Sequence, residues 1–225
     1  MDIEGTTSAA RHVYDVMFPY ARAHMRSWIE QHPLDPETIG VVVDVATQLG
    51  VSPTDRDAIV GQLTQWIDDD VKAAPLKTIQ GLIWEQGYAR GELSSHMFDD
   101  VAPALRAWND AGLTLAIYSS GSIAAQKALF TYAPQGNLDE LIDANFDITT
   151  AGPKREVSSY RTIATALGME PGQLLFLSDI QAELDAARDA GWQVMGVLRE
   201  GEAQATVNAS DVITSFTELN VHTGD

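Results

Sequence analysis

The chain has 225 residues, more than one average domain and less than two, and its 45% hydrophobic and 20% charged residues match soluble globular chains rather than disordered or collagen-like ones. Fourteen Lys and Arg against 32 Asp and Glu give a net charge of −18, which repels nucleic-acid phosphates and anionic headgroups, so neither nucleic acid nor membrane is an expected partner. No window reaches the roughly 18 apolar residues of a membrane span. Cysteine is absent, which removes disulfides, thiolate metal sites and a Cys nucleophile, and no charged-then-apolar leader opens the chain, so a cytoplasmic address is expected.

In chain order, Asp2-Ile3-Glu4-Gly5-Thr6-Thr7 opens the sequence as a polar, glycine-containing turn. Val13 to Ile29, Pro36 to Leu49, Asp55 to Trp66 and Pro75 to Trp84 then favour helix with no strand between them, which predicts a helical cap over 13–93 inserted in a core of 1–12 plus 94–225. Ser52-Pro53 and Ala74-Pro75 mark helix starts, and Asp68-Asp69-Asp70 reads as a solvated turn. Beyond residue 94, strands are predicted at Leu113 to Ser120, Phe146 to Thr150, Leu174 to Asp179, Val194 to Leu198 and Asp211 to Phe216. Helices at Asp99 to Ala111, Ser158 to Leu167 and Ile180 to Ala190 each end at a glycine, Gly112, Gly168 and Gly191. Repeated βαβ units predict the α/β class, a doubly wound parallel sheet with helices on both faces.

Ligands of such sheets bind beyond the carboxyl ends of the strands. The residues there are Ser119-Ser120-Gly121, Gly152-Pro153-Lys154, Ser178-Asp179 and the opening Asp2 to Thr7. Asp2 is suited to attack phosphorus, and Glu4, turned over the site by Gly5, to protonate the leaving oxygen and then deprotonate water. Mg²⁺ between Asp2 and Asp179 would cancel the repulsion between carboxylate and phosphoryl group. Lys154 adds a fixed positive charge, while Ser119, Ser120 and the N–H groups near Gly121 are suited to cradle phosphate oxygens.

These motifs resemble the haloacid-dehalogenase superfamily of phosphohydrolases and, within it, the enolase-phosphatases (acireductone synthases) of methionine salvage. The resemblance covers essentially the whole chain: Asp2 to Thr7; Tyr118-Ser119-Ser120-Gly121-Ser122 with Ala125-Gln126-Lys127; Phe146-Asp147 through Gly152 to Glu156 and Ser159-Tyr160; and Leu177-Ser178-Asp179 with Glu183 to Ala187. Glu4 distinguishes this family from the commoner Asp-x-Asp members. The resemblance implies that Asp2 and Asp179 give side-chain oxygens to one Mg²⁺ and Glu4 a backbone carbonyl, and that Ser119, Ser120 and Lys154 hold phosphate. It also implies the substrate, 2,3-diketo-5-methylthiopentyl 1-phosphate, enolised and then dephosphorylated to 1,2-dihydroxy-3-keto-5-methylthiopentene through an aspartyl-phosphate. In the cap, Leu76 to Trp84 with Gly87-Tyr88 is family-like; Lys77, Gln80 and Trp84 share a helix face expected to look toward the cleft and are candidate substrate contacts.

Glu183 and Asp185 are expected only to complement the start of their helix, and Trp84 and Tyr88 are open between packing and contact with the substrate's tail. His12, His24, His32, His96 and His222 lack ligand spacing and are expected to pack or face solvent. Family members reach the first motif through an apolar strand of about five residues, whereas Met1 alone precedes Asp2 here. The expectation is a misassigned start or a truncation, with a terminal ammonium beside Asp2 and higher turnover and thermal stability on adding an apolar extension. The expected protein is a monomer that takes a small phosphorylated metabolite. Alternatives are a phosphatase for another small phosphate ester, or an inactive binding relic; a metal-free haloalkanoate dehalogenase has no use for Glu4.

Overall fold

A computed structural model describes residues 1–202, 205–208 and 211–219, and the chain divides into two units, Met1–Val13 with Ser94–Asp225, and Tyr14–Leu93. In chain order the helices and strands are α1 (Ala10–His12), a π-helical stretch Val13–Met17, α2 (Phe18–Gln31), α3 (Pro36–Leu49), α4 (Arg56–Asp68), α5 (Ala74–Ala89), α6 (Val101–Asp110), β1 (Ala116–Tyr118), α7 (Ile123–Thr131), β2 (Ala144–Phe146), α8 (Val157–Leu167), β3 (Leu175–Ser178), α9 (Gln181–Asp189), β4 (Gln193–Val197) and β5 (Val212–Ile213). His222 lies outside the described residues.

The unit 14–93 is helical. Asp35 accepts from Thr38 N–H at 2.7 Å, Pro36 fills the first turn, and Gly50 ends α3 at φ +68°. Helix α4 starts later than Ser52-Pro53 suggests, because Asp55 is the side chain that caps it, through Ala58 N–H at 3.1 Å. Met25, Trp28 and Ile29 of α2, Val41, Val42 and Val45 of α3, Ile59 and Leu63 of α4, and Leu76, Ile79 and Ile83 of α5 recur at helical spacing and are buried together. Helix α5 passes close to α2: a methyl group at Gly87 would lie 2.6 Å from the Tyr20 ring. Asp68 pairs with Arg22 at 3.0 Å and Asp70 with Lys72 at 2.5 Å, both exposed, so the acidic run is a solvated turn.

In the other unit, β1 pairs with β2, and β3, β4 and β5 form a second group, all parallel. Met1 and Asp2 join the two groups: the Met1 amine donates to Ala116 O at 2.8 Å, Tyr118 N–H to Met1 O at 2.9 Å and Asp2 N–H to Leu177 O at 2.9 Å. The order is β2, β1, Met1-Asp2, β3, β4, β5, the doubly wound α/β arrangement. Strand β2 ends where the sequence suggested a strand beginning, because Asp147 Oδ1 accepts from both Thr149 and Thr150 N–H at 2.9 Å and turns the chain. Under the strand ends lies a buried aromatic group in which Tyr160 meets Tyr118, Phe176 and Trp192 edge-on at 5.2–5.5 Å.

Candidate active site

Held between β1 and β3, Asp2 is 2% exposed, and its Oδ1 accepts from Ile3 N–H at 2.8 Å. A tight turn follows in which Thr6, Thr7 and Ser8 N–H all donate to Ile3 O at 2.9–3.1 Å, and Gly5 N–H to Ser8 O at 2.8 Å. Gly5 stands at φ +74° against the Asp179 carboxylate, where a methyl group would lie 2.6 Å from Asp179 Cγ. The turn brings Glu4 Oε2 to Ser119, whose hydroxyl donates to it at 3.2 Å. Ser119 is fixed by its own N–H to Phe146 O at 3.2 Å, and Gln126 Nε2 donates to both Gly121 O and Phe146 O at 2.9 Å. Ser122 caps α7 just beyond, so this loop ends at a helix start as expected, with half-buried Ser120 in it.

Lys154 arrives from a loop held by hydroxyls of the aromatic group. Tyr118 OH donates to Gly152 O at 2.7 Å, Tyr160 OH to Lys154 O at 2.8 Å, and Ser159 OH to Pro153 O at 2.8 Å. The buried amine sits 2.5 Å from Asp2 Oδ1 and 2.7 Å from Glu183 Oε2, which also accepts from Ser178 OH at 3.0 Å. Burial alone would lower its pKa, but Asp2, Glu183 and Glu4 override this and keep Lys154 charged. Burial, then the charge of Asp2, pushes Asp179 and Glu183 up to about 7 and raises Glu4 as well. Burial pushes the pKa of the Met1 amine down to about 5.

The structure therefore gathers Asp2, Glu4, Ser119, Lys154 and Asp179. Glu183 belongs with them and not merely to the helix start, a correction to the sequence reading. Its signal was spacing: Glu183 shares a face of α9 with buried Ala186 and Ala187, whereas Asp185, 3.0 Å from Arg188, lies on the exposed one. In the helical unit Gln80 and Trp84 are buried, and Lys77 is half-buried. Trp84 Nε1 donates to Met17 O at 2.8 Å, so its polar edge serves packing, while Gln80 Nε2 is buried without a hydrogen-bond partner. His12 and His96 stack at 5.7 Å, and His24 and His32 stack on Tyr20 and Trp28.

Among the described residues no three His, Cys, Asp or Glu side chains form a metal cluster. Asp179 Oδ1 is buried without a hydrogen-bond partner, an oxygen donor near Asp2 of the kind a hard cation prefers.

Fold and site together define a hydrolase built around a carboxylate at a strand end. The sequence model described as haloacid dehalogenase-like hydrolase matches residues 1–191. Enolase-phosphatase E1 of Frankia alni is 48% identical, with 98% of this chain and 94% of the relative covered, and that of Streptomyces avermitilis is 52% identical, covering 90% and 84%. The crystal structure of the UTR4 protein of Saccharomyces cerevisiae superposes with a TM-score of 0.80 at 30% identity, covering 97% of each chain. A phosphatase of Thermococcus onnurineus, at TM-score 0.59 and 18% identity over 96% of this chain and 93% of its own, shares the fold. This chain belongs to the haloacid dehalogenase-like hydrolases and, among them, to the enolase-phosphatases. No helix among the described residues is long and apolar enough to cross a membrane.

Proposed function

We propose that this chain enolises and then dephosphorylates 2,3-diketo-5-methylthiopentyl 1-phosphate in methionine salvage, with Asp2 as nucleophile. The observation that carries the reading is the Asp2 carboxylate, buried, 2.5 Å from Lys154 and followed by a turn that sets Glu4 on Ser119. Asp2 forms a bond to phosphorus as the ester P–O bond breaks, and Glu4 gives its proton to the leaving oxygen. Burial beside Asp2 favours the protonated form of Glu4, the form this step needs. Glu4 then takes a proton from water as the water oxygen bonds phosphorus and the Asp2–phosphorus bond breaks, releasing phosphate. Lys154, Ser119 and Ser120 hold the phosphoryl oxygens. The side chains of Asp2 and Asp179 and the carbonyl of Glu4 would hold Mg²⁺, which supplies charge neutralisation for the attack and for the enolate. Lys77, Gln80 and Trp84 are assigned to substrate contact, and the setting is cytoplasmic with the protein a monomer.

The test is a time course on the diketo phosphate, following enol absorbance and inorganic phosphate together with and without Mg²⁺. Enol phosphate followed by free phosphate, only with the cation, is expected. Phosphate without an enol phase would instead indicate another phosphate ester as substrate.

A further inference from the structure

Behind the turn that carries Glu4 lies Arg199, 7% exposed, its guanidinium 4.6 Å from the ring centroids of both Phe98 and Phe216. Its Nε donates to Thr6 O at 2.9 Å, and its Nη1 to Asp100 Oδ2 at 2.7 Å and Thr214 O at 3.2 Å. The same Asp100 oxygen accepts from Phe216 N–H at 2.6 Å and Ser215 OH at 3.0 Å, while Phe98 N–H donates to Thr7 O at 3.1 Å. The turn's own main-chain N–H groups end on the carbonyls of Ile3 and Ser8. Those of Thr6 and Thr7 are thus left for this brace, which draws on residues 98–100, 199 and 214–216.

Asp2 touches the brace at one point, the Thr7 hydroxyl, which donates to the Asp2 carbonyl at 3.2 Å. Its main chain is fixed by Leu177 and its carboxylate by Ile3 N–H and Lys154. Glu4 does depend on it, because Gly5 and Thr6 decide where the Glu4 carboxyl points, and its side-chain hydrogen bond is the 3.2 Å contact with Ser119. Loss of the brace therefore shifts the acid more than the nucleophile, whose carboxylate keeps Ile3 N–H and Lys154.

We propose that Arg199 is a positioning residue for proton transfer: by holding the Thr6 carbonyl it aims Glu4 at the leaving-group oxygen. The proposal rests on the acid–base role assigned to Glu4 above. During attack Asp2 forms a bond to phosphorus, the ester P–O bond breaks, and the departing oxygen takes the Glu4 proton. A good leaving group departs as the anion and needs that proton little; a poor one needs it fully.

The experiment compares single-turnover phosphoenzyme formation from phenyl phosphate and 4-nitrophenyl phosphate, with Mg²⁺ present, in the parent, Arg199→Gln, Arg199→Lys and Glu4→Gln. Circular dichroism confirms folding of each. Arg199→Gln should slow the phenyl ester by about 100-fold, as expected for a displaced catalytic group, and the nitrophenyl ester by less than about threefold. Arg199→Lys keeps a donor for Thr6 and should recover part of the phenyl rate; it carries the test alone if the Gln variant does not fold. Equal slowing of both esters by the Arg199 variants, with selective slowing in Glu4→Gln, overturns the positioning role and leaves the acid–base assignment standing. No selectivity in Glu4→Gln overturns both.

Discussion

Gly5 and Asp179 meet at a distance that admits no side chain on Gly5: an added methyl carbon would lie 2.6 Å from the Asp179 carboxyl carbon. The nucleophile's turn and the end of β3 therefore fit together only through a glycine that also stands at φ +74°.

Gly5→Ala is expected to reduce turnover by about 100-fold, since either the turn or Asp179 must shift by around an ångström. It should also lower stability by about 1–3 kcal/mol through backbone strain and overpacking. Gly50→Ala separates these causes. Gly50 stands at φ +68° with nothing within 4 Å of its added carbon, so that variant should lose about 1 kcal/mol and keep full turnover. Phosphate release and thermal unfolding of both variants check this.

Glu183→Gln is expected to cut kcat/KM by about 10- to 100-fold, because the amide retains an oxygen for Ser178 but no longer holds the Lys154 charge 2.7 Å away. Asp185→Asn, two residues on but solvent-facing and bonded to Arg188 at 3.0 Å, should stay within about twofold of the parent. Similar losses in the two variants would contradict the assignment of Glu183 to the site.

Asp100 gives a pH dependence whose sign is fixed by its partners. Burial raises its pKa, but Arg199, Phe216 N–H and Ser215 OH together overcome this and hold it below the ordinary carboxylate range. Its stabilisation is therefore fully present above the unfolded value, about 3.9, and is lost as pH falls through the lower folded value. Asp100→Asn should be less stable than the parent by about 2 kcal/mol near neutral pH, the scale of charged hydrogen bonds, with the gap closing below about pH 4. Urea unfolding across pH 3–7 measures it; a gap independent of pH would contradict the charge as its cause.

The features legible in the sequence were local ones. Pro36 to Leu49 is helical over the residues read from its pattern, because Asp35, Pro36 and Gly50 settle both ends within a turn. The positions of Asp2, Ser119, Lys154 and Asp179 followed from strand-end chemistry and family motifs. One strand reading slipped where a nearby side chain captured the backbone, Asp147 turning the chain at the end of β2, while α4 starts from its cap Asp55 as its apolar pattern indicated and not at Ser52-Pro53.

By itself, the sequence determined the α/β class, the helical insertion and the lack of any thiol chemistry, and it proposed the reacting residues, because periodicity, capping and residue type act over a few neighbours. The tertiary structure alone decided that the buried face of α9 brings Glu183 to Lys154, and that Arg199 reaches Thr6 across 192 intervening positions. Successive residues of a helix point about 100° apart, so Glu183 and Asp185 diverge by about 200°. Helical spacing puts Glu183 on the buried face, but that this face meets an amine depends on how α9 lies against β3 and on the Tyr118 and Tyr160 hydroxyls that deliver Lys154, which no short-range pattern encodes.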